Sequence, residues 1–443
     1  MLRRLLLRGF RSMYRTGRWF RRRLTPTGHL ILASMGASLV VGINTRLNLA
    51  SQIFALLLPL FLLSVISSVY FRPRLRVQRI LPPCATVGEA VRYTLRIENC
   101  SSRSQRGLCI IDELADTWPT DDEFLQRNDP NDQYRNPFDR FIGYPRWLWL
   151  VRQKRGAILT PVALPRIPAR QTVTVTVSFT PQRRGYLYFQ RCRINRPDPL
   201  GIINACVRIP MTDSLIVLPQ RYAVNNPKLP GVALYQPGGI ALAAAPAGGA
   251  EEFVALRDYR PGDSLRTMHW KSWAKMGKPI VKEYRPEYFT RHALILDTFV
   301  PRGGDSRLEA AISVAASFLC TLETQDNLLD LLFVGSKLHC FTAGHGLDNS
   351  VQLLKILACV TGTYQQTFAT LQNAVLGHAR QFSGCIVVLL NWDQARRQLV
   401  QNLRGRHIQT LALVITDGVA ETIEEDQVVA LPMGQLTENL RQL

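Results

Sequence analysis

The stretch Glu252–Glu283 reads EFVALRDYRPGDSLRTMHWKSWAKMGKPIVKE, and the interpretation of the whole chain depends on it. Opposite charges and large aromatic side chains alternate along it at a density that an ordinary hydrophobic core does not contain. This composition indicates a pinned, hydrogen-bonded surface rather than a solvated linker. The Pro-Gly pair before Asp263 predicts a turn that presents Asp263 to Arg266 or Lys271 in a buried ion-pair network.

The same stretch offers a second interpretation, as a catalytic cluster of Asp263, His269 and Lys271. A histidine beside a carboxylate is the usual general acid–base pair. On an extended strand His269 and Lys271 would face one side and Trp270 the other. The nearby serines lack a G-x-S-x-G context, so no nucleophile is indicated. A structural or docking network is therefore favoured over recognition of an anionic ligand, and catalysis comes last.

The run F-x-x-L-R-x-Y-x-x-G-D-x-x-R-x-x-H-W-K, followed by K-P-x-V-K-E, resembles the signature of the DUF-58 family. Members are membrane-anchored bacterial proteins, usually encoded beside MoxR-type AAA+ ATPases, so the resemblance implies such an ATPase as partner. The residues assigned to this partner-binding or signature network are Arg257, Asp258, Tyr259, Gly262, Asp263, Arg266, His269, Trp270, Lys271, Lys282 and Glu283.

Charge is concentrated at the N-terminus of this 443-residue chain. The formal net charge of +21 is compatible with nucleic-acid binding, but residues 1–25 alone carry nine arginines and no acid. We interpret this segment as a basic cytoplasmic N-terminus that orients the chain and attracts anionic lipids. Nine scattered cysteines without a C-x-x-C pair predict reduced thiols rather than a zinc or redox site.

Two apolar runs without charges, at about 26–43 and 49–70, predict a transmembrane helical hairpin over 26–71. A helix needs roughly 20 apolar residues to cross a bilayer, so the second run is long enough and the first is marginal. Only Arg46 lies in the turn between them, so both termini are expected on the cytoplasmic side of a bacterial inner membrane. The arginines that follow the hairpin are Arg72, Arg74, Arg76 and Arg79.

From residue 75 to about 220 the hydrophobic pattern changes to strict alternation, as in Val91–Ile97. Several such runs separated by turn residues predict an antiparallel β-sandwich of immunoglobulin-like type. Residues 116–157 interrupt it, and we interpret them as a decorated surface insertion, with partner binding as the alternative. Asp198 in the D-P-L-G turn is expected to accept hydrogen bonds from backbone amides rather than to act as a catalyst.

The C-terminal part predicts a doubly wound α/β domain. A linker rich in Pro, Gly and Ala is expected over 221–249, and the signature segment and the α/β domain then occupy 250–443. Near-continuous apolar runs such as His292–Asp297 predict parallel strands that are covered on both faces. The strand that ends in Leu-Asp-Thr resembles the first strand of the von Willebrand factor A fold.

That resemblance raises the question of a metal. The A-domain family holds Mg²⁺ with a D-x-S-x-S loop at the end of this strand. Asp297 matches its first position, but Phe299 and Pro301 replace both hydroxyl ligands. We therefore expect a degenerate site, without metal or cofactor. Asp393 is expected to cap the following helix rather than to offer a ligand.

Together these patterns favour a non-enzymatic inner-membrane adaptor or scaffold that presents cytoplasmic interaction domains. By resemblance it would work with a MoxR-type AAA+ ATPase in a chaperone-like, envelope or stress role. The chain has no Walker or G-x-G-x-x-G pattern, so it is not expected to be an ATPase itself. Two alternatives remain: a hydrolase or ligand-processing enzyme at the Asp263/His269/Lys271 cluster, and a binder of anionic lipid or nucleic acid.

Overall fold

The computed structural model divides the chain into two compact units, Met1–Gln220 with Lys355–Cys359, and Arg221–Leu354 with Val360–Leu443. The structure describes all residues except 1, 43–47, 128, 225–250, 264, 287–290, 302–304, 324–327, 336, 344–346, 419–426 and 443. The predicted turn between the apolar helices and nearly all of the predicted linker therefore lie outside the described residues.

Three helices open the first unit: α1 (Leu2–Arg23), α2 (Pro26–Gly42) and α3 (Asn48–Tyr70). In α3 the stretch Leu49–Tyr70 is long and apolar enough to cross a membrane. Helix α2 is apolar but shorter, and it packs against α3. The orientation and the crossing of a complete hairpin stay predictions.

The segment predicted as a basic cytoplasmic N-terminus forms a docked helix, α1, and its location stays a prediction. Its Leu7 and Phe10 are buried in one cluster with Trp147 and Leu150 of the 116–157 insertion. The physical reason is the spacing of apolar residues along α1, which places them on one face while the arginines occupy the other. Sequence patterns do not reveal this contact, since its partner lies more than 100 residues away.

The insertion is helical rather than a loop. It forms α4 (Asp121–Gln126), α5 (Pro137–Ile142) and α6 (Tyr144–Gln153). Thr120 and Glu123 form a capping box at the start of α4, and prolines at the first turns of α5 and α6 favour helix initiation. Trp147 is fully buried and stacks on Trp118, with ring centroids 5.8 Å apart.

Nine strands follow the alternation predicted for the middle of the chain. They are β1 (Leu75–Ile80), β2 (Ala85–Thr86), β3 (Val91–Asn99), β4 (Cys109–Leu114), β5 (Ala157–Leu159), β6 (Val162–Ala163), β7 (Thr172–Pro181), β8 (Gly185–Pro197) and β9 (Asn204–Leu218). They form two sheets, ordered β1-β3-β7-β5 and β2-β9-β8-β4-β6, which contribute to one buried core. Neighbours are antiparallel except for the short β2–β9 pair. The immunoglobulin-like classification stays a prediction.

The turn between β8 and β9 holds the first unit together at the start of α2. Asp198 Oδ1 accepts hydrogen bonds from the amides of Ile202 and Ile203 at 2.7 and 2.9 Å, which confirms its predicted role as a turn former. Although burial opposes this, the nearby Ser64 hydroxyl and the hydrogen bonds from these amides lower the pKa of Asp198. The Thr25 amide donates to the Ile202 carbonyl at 3.1 Å, so the turn lies directly on the α2 entry.

Gly28 is the residue that allows this close approach. A Cβ at Gly28 would overlap the Ile202 carbonyl oxygen, so Gly28→Ala is expected to lower the free energy of unfolding by about 1–3 kcal/mol. Gly36→Ala is the matched control in the same helix, because its Cβ would meet nothing within 4 Å. Thermal unfolding of the full-length protein in detergent measures both. Equal shifts for the two variants would contradict the packing role of Gly28.

The second unit begins with a two-stranded hairpin, β10 (Glu251–Asp258) and β11 (Ile280–Pro286), with α7 (Trp270–Met276) between its strands. A six-stranded sheet follows: β12 (Arg291–Leu296), β13 (Leu328–Val334), β14 (Leu338–Ala343), β15 (Gly384–Leu389), β16 (Gln409–Thr416) and β17 (Val428–Pro432). The helices of this unit are α8 (Ser306–Glu323), α9 (Leu347–Cys359), α10 (Phe368–His378), α11 (Gln394–Gly405) and α12 (Leu436–Gln442).

The order of this sheet is β14-β13-β12-β15-β16-β17, and all neighbours are parallel except β13 and β14. This confirms the predicted α/β domain with strands buried on both faces. The strand order reverses at β12, so the carboxyl end of β12 is the topological switch point where such sheets place their sites. Asp297 follows β12 directly and lies at this point.

Candidate functional site

The β10–β11 hairpin gives the predicted signature segment its frame. Arg257 pairs with Val281 and Leu256 with Lys282 across the two antiparallel strands. Met268, in the connection, forms an isolated bridge with Val281, and both side chains are buried. The Tyr259 amide donates to the Pro279 carbonyl at 2.9 Å and closes the hairpin at its far end. The connection between the strands is therefore fixed to the hairpin rather than free.

Asp263 is held in a clamp at the turn. Its carboxylate accepts two hydrogen bonds from the Arg257 guanidinium, both 2.7 Å long, and a third of 2.8 Å from the Arg260 amide. Gly262 adopts a φ of 107°, which favours glycine and allows the turn. The Arg257 and Arg260 hydrogen bonds lower the pKa of Asp263 to about 2. Asp263 is therefore ionised at neutral pH and acts as an anchor for the turn.

The clamp corrects two details of the sequence prediction. The bidentate partner of Asp263 is Arg257, on the preceding strand, rather than Arg266 or Lys271. The network also lies at the surface and is not buried, since the Arg257 and Asp263 side chains are 34% and 19% exposed. Asp263 pairs with Arg257 because β10 ends at Asp258 and the turn that follows returns the chain to Arg257. Glu283 lies 3.9 Å from the Arg257 Nε and extends the network across the hairpin.

The H-W-K run is not extended. Helix α7 begins at Trp270, with His269 as its N-cap residue. Adjacent residues on a helix lie about 100° apart around its axis, so Trp270 and Lys271 do not occupy opposite faces as the predicted strand would require. The seven-residue helix ends at Gly277, whose φ of 68° favours glycine. Its few apolar positions are too short a pattern to predict a helix from the sequence.

His269 forms no hydrogen bond with the Asp263 carboxylate within the part of the chain that the structure describes. Its Nδ1 lies 2.6 Å from Ser272 Oγ, within the first turn of α7. Among the residues that the structure describes, Ser272 is the one side-chain hydrogen-bond partner of His269. Asp263, for its part, is occupied by Arg257 and the Arg260 amide. The Asp263/His269/Lys271 cluster is thus not joined by hydrogen bonds in the described segment.

Large apolar side chains of the signature segment face outward. Trp270 is 64% exposed and stacks on Trp273, with ring centroids 5.3 Å apart. We call this set the signature surface: Leu256, Leu265, Trp270, Trp273 and Met276. Four of its five members are well exposed and Trp273 is half-buried. Exposed Lys271, Lys275 and Lys278 flank it in the sequence. The sequence predicted a surface here that includes Trp270, but it did not assign Leu265 or Met276 to it, because leucine and methionine are ordinarily assigned to a core.

At the switch point of the large sheet, an arginine supplies the charge that a metal would bring. Asp297 is fully buried, and its Oδ2 accepts a 2.6 Å hydrogen bond from Arg396 Nε and a 3.2 Å bond from the Leu390 amide. Its Oδ1 accepts the Phe299 amide at 3.0 Å. This set of cationic and amide donors does not fit a bound Mg²⁺, which needs oxygen ligands.

Asp393 completes that arrangement. It caps α11 by accepting a 3.0 Å hydrogen bond from the Arg396 amide, which confirms its predicted capping role. The Asp393 carboxylate also pairs with the Arg396 guanidinium. Within the described ranges, no group of three or more His, Cys, Asp or Glu side chains is arranged to hold a metal. No sequence pattern indicates that Arg396 pairs with Asp297, because the two residues lie 99 positions apart.

Comparisons with known proteins agree with the signature. Residues 255–435 match the family model described as a protein of unknown function, DUF58. The uncharacterized protein YeaD of Bacillus subtilis (strain 168) is 26% identical over 209 residues, which are 46% of this chain and 49% of that protein. The chain thus spans about half the length of this curated relative.

Two solved structures indicate distant likeness. A von Willebrand factor type A protein from Catenulispora acidiphila aligns with a TM-score of 0.25 and 8% identity, over 37% of this chain and 43% of that chain. The CARDB domain of PF1109 from Pyrococcus furiosus aligns with a TM-score of 0.17 and 11% identity, over 33% of this chain and 94% of that chain.

Proposed function

We propose that this chain, whose residues 255–435 match the DUF58 family, is a non-enzymatic membrane-anchored adaptor that docks a protein partner through its signature surface. The observation that carries the proposal is the exposed Trp270, which stacks on Trp273 beside a turn that the Arg257–Asp263 clamp fixes to the hairpin. Tryptophan and arginine dominate the hot spots of protein interfaces. A rigid docking surface also loses less conformational entropy on binding.

The composition of the signature surface supports protein docking over other uses. Aromatic residues, methionine and arginine are enriched at protein interfaces. Exposing large apolar side chains to water does not stabilise a hairpin, so their exposure here points to a binding role. Trp270, Leu265 and Met276 are each well exposed. Their flanking lysines would form a polar rim that favours an acidic partner surface. The DUF58 resemblance suggests a MoxR-type AAA+ ATPase as this partner, in a chaperone-like, envelope or stress role.

The first unit would supply the membrane anchor of this adaptor. Helices α2 and α3 would cross the inner membrane as a hairpin, with both termini cytoplasmic by the distribution of arginines. An immunoglobulin-like sandwich would then present the second unit on the cytoplasmic side. The length and composition of α3 support the membrane anchor.

Trp270→Ala is expected to lower recovery of the partner at least tenfold, because truncation of a hot-spot tryptophan costs about 2 kcal/mol or more in binding. The measurement is a crosslinking pull-down of the full-length membrane protein from its native host, quantified by mass spectrometry. Trp19→Ala is the control, since Trp19 is an exposed tryptophan outside the signature segment. Unchanged recovery with Trp270→Ala, and with Asp263→Ala plus His269→Ala, at equal membrane levels would contradict the docking proposal.

One contact favours the enzymatic alternative, the 2.6 Å approach of His269 Nδ1 to Ser272 Oγ, which is the spacing of a base and a nucleophile. Its weakness is that a triad also needs a group to orient the histidine, and Asp263 is engaged by Arg257 instead. A pH-dependent hydrolase activity of the full-length protein that is lost on His269→Gln would replace the adaptor proposal with this one.

A further inference from the structure

The first unit contains an open cavity of about 830 Å³ beside α1. Its walls come from the arginine-bearing face of α1, the end of β4, the chain entering β5, and neighbouring residues of β8 and β9. Sites for small molecules typically measure about 300–1,000 Å³, so this cavity has the size of a ligand site. It is separate from the signature surface, which belongs to the second unit.

Positive charge dominates this cavity. Among its described lining residues, nine are arginines, five of them from α1, and three are carboxylates. The carboxylates are already engaged: Asp116 by Arg18 at 2.7 Å, Glu113 by Arg22 at 2.7 Å, and Asp112 by an arginine of the sandwich core. Five of the lining arginines form no ion pair within the described part of the chain: Arg8, Arg11, Arg15, Arg155 and Arg208. The cavity thus retains a surplus of cations.

Two of the lining arginines are held without full compensation. Arg193 is only 6% exposed; it pairs with Glu113 at 3.1 Å, but its Nε has no hydrogen-bond partner in the described structure. Burial, and then the neighbouring Arg193 and Arg18 guanidinium groups, lower the pKa of Arg22 in spite of Glu113. A buried donor without an acceptor costs about 1–3 kcal/mol, and crowded cations repel one another. An anion in the cavity would accept a hydrogen bond from the unpaired Arg193 Nε and would reduce the repulsion between the guanidinium groups.

The cavity also lies next to the entry of the apolar helices. Arg22 precedes Pro26, the first residue of α2, by four positions. If α2 and α3 enter the membrane, the cavity stands at the level of the lipid headgroups, where phosphate diesters are concentrated.

We propose that this arginine cavity binds a phosphate-bearing anion, either the headgroup of an anionic phospholipid or a free phosphate compound. Guanidinium groups bind phosphate oxygens through paired, charge-assisted hydrogen bonds, and all of the uncompensated cations here are arginines. The anion would join α1 to the sandwich, because both contribute arginines to the same cavity. Binding there would fix the α1 helix, and with it the helical insertion on which α1 is docked.

The test compares the full-length protein in neutral detergent with the variant Arg15→Gln, Arg208→Gln. Native mass spectrometry measures retained phosphatidylglycerol, and titration calorimetry measures inorganic pyrophosphate. Removing two arginines that line the cavity is expected to weaken binding about tenfold or more. The control is Arg92→Gln, Arg96→Gln, which removes two exposed arginines of β3 that do not line the cavity.

Each outcome decides the proposal. Loss of phosphatidylglycerol in the cavity variant, but not in the control, supports it with a lipid as source. The same pattern with pyrophosphate alone supports it with a soluble source. Equal binding by wild type and variant for both probes, or equal loss in the control, overturns it. If the double variant does not fold, Arg155→Gln serves instead, because Arg155 is exposed and lines the same cavity.

Discussion

Replacing Arg396 by Ala is expected to destabilise the α/β unit by about 3–5 kcal/mol, because the buried Asp297 carboxylate loses its cation. Asp297 is fully buried and Arg396 almost so, and the Nε–Oδ2 distance is 2.6 Å. The Arg396 guanidinium also lies over the Phe368 ring, 4.8 Å from its centroid. The two backbone amides that bond Asp297 are too few to replace a full positive charge.

Thermal unfolding of the full-length protein in detergent, followed by tryptophan fluorescence, measures this effect. A loss of 3–5 kcal/mol in a unit of this size corresponds to a fall in Tm of about 10 °C. Arg397→Ala is the matched control at the next position of α11, where the side chain is exposed, and its effect should stay below about 1 kcal/mol. Similar effects of both substitutions would contradict the structural role of Arg396.

A second variant separates lost charge from lost packing. Combining Asp297→Asn with Arg396→Met removes the buried charges together and keeps an apolar side chain under Phe368. Replacing a buried ion pair as a whole is often nearly neutral, whereas removing one partner is not. We therefore expect the double variant to be more stable than Arg396→Ala. Two independent sites would not show this, because their effects on the free energy of unfolding would add.

The sequence predicted those elements whose signals are local. The alternation of Val91–Ile97 predicted β3, and the apolar run His292–Asp297 predicted the central strand β12. Asp198 and Asp393 were correctly assigned to a turn and a cap, because each accepts hydrogen bonds from amides within five residues. Local hydrogen bonding of this kind depends only on neighbouring residues.

What sequence patterns did not predict depends on contacts between distant segments. The docking of α1 needs Trp147, and the neutralisation of Asp297 needs Arg396. Both pairs lie about 100 or more residues apart, so no pattern in either segment indicates the other. The H-W-K run was assigned to the wrong secondary structure because seven residues offer too few periods to distinguish a helix from a strand. Its exposed Trp270 breaks the usual rule of burial, which is expected at functional surfaces.

Arg79 shows the same limitation in the sandwich, where the charge distribution alone misassigned it. It was counted with the cations that flank the membrane hairpin, but it lies in β1 with no exposed side-chain area. Its guanidinium donates to Asp112 at 2.6 and 3.1 Å and to Asp213 at 2.5 Å. The Tyr93 hydroxyl donates to the same Asp112 carboxylate, and burial together with that carboxylate raises the pKa of Tyr93.

Asp112→Ala is therefore expected to destabilise the first unit by about 3–5 kcal/mol, because the Tyr93 hydroxyl and the Nε and Nη2 donors of Arg79 would remain buried without their acceptor, while only Nη1 keeps Asp213. Asp213→Ala should cost less, since the Asp213 side chain is 37% exposed and water can replace it. The surface pair Arg76–Glu98 provides the control, and Glu98→Ala should change stability by less than about 1 kcal/mol. Thermal unfolding of the three full-length variants in detergent measures this order. A loss with Asp112→Ala no greater than that with Glu98→Ala would mean that the sandwich core does not depend on this network.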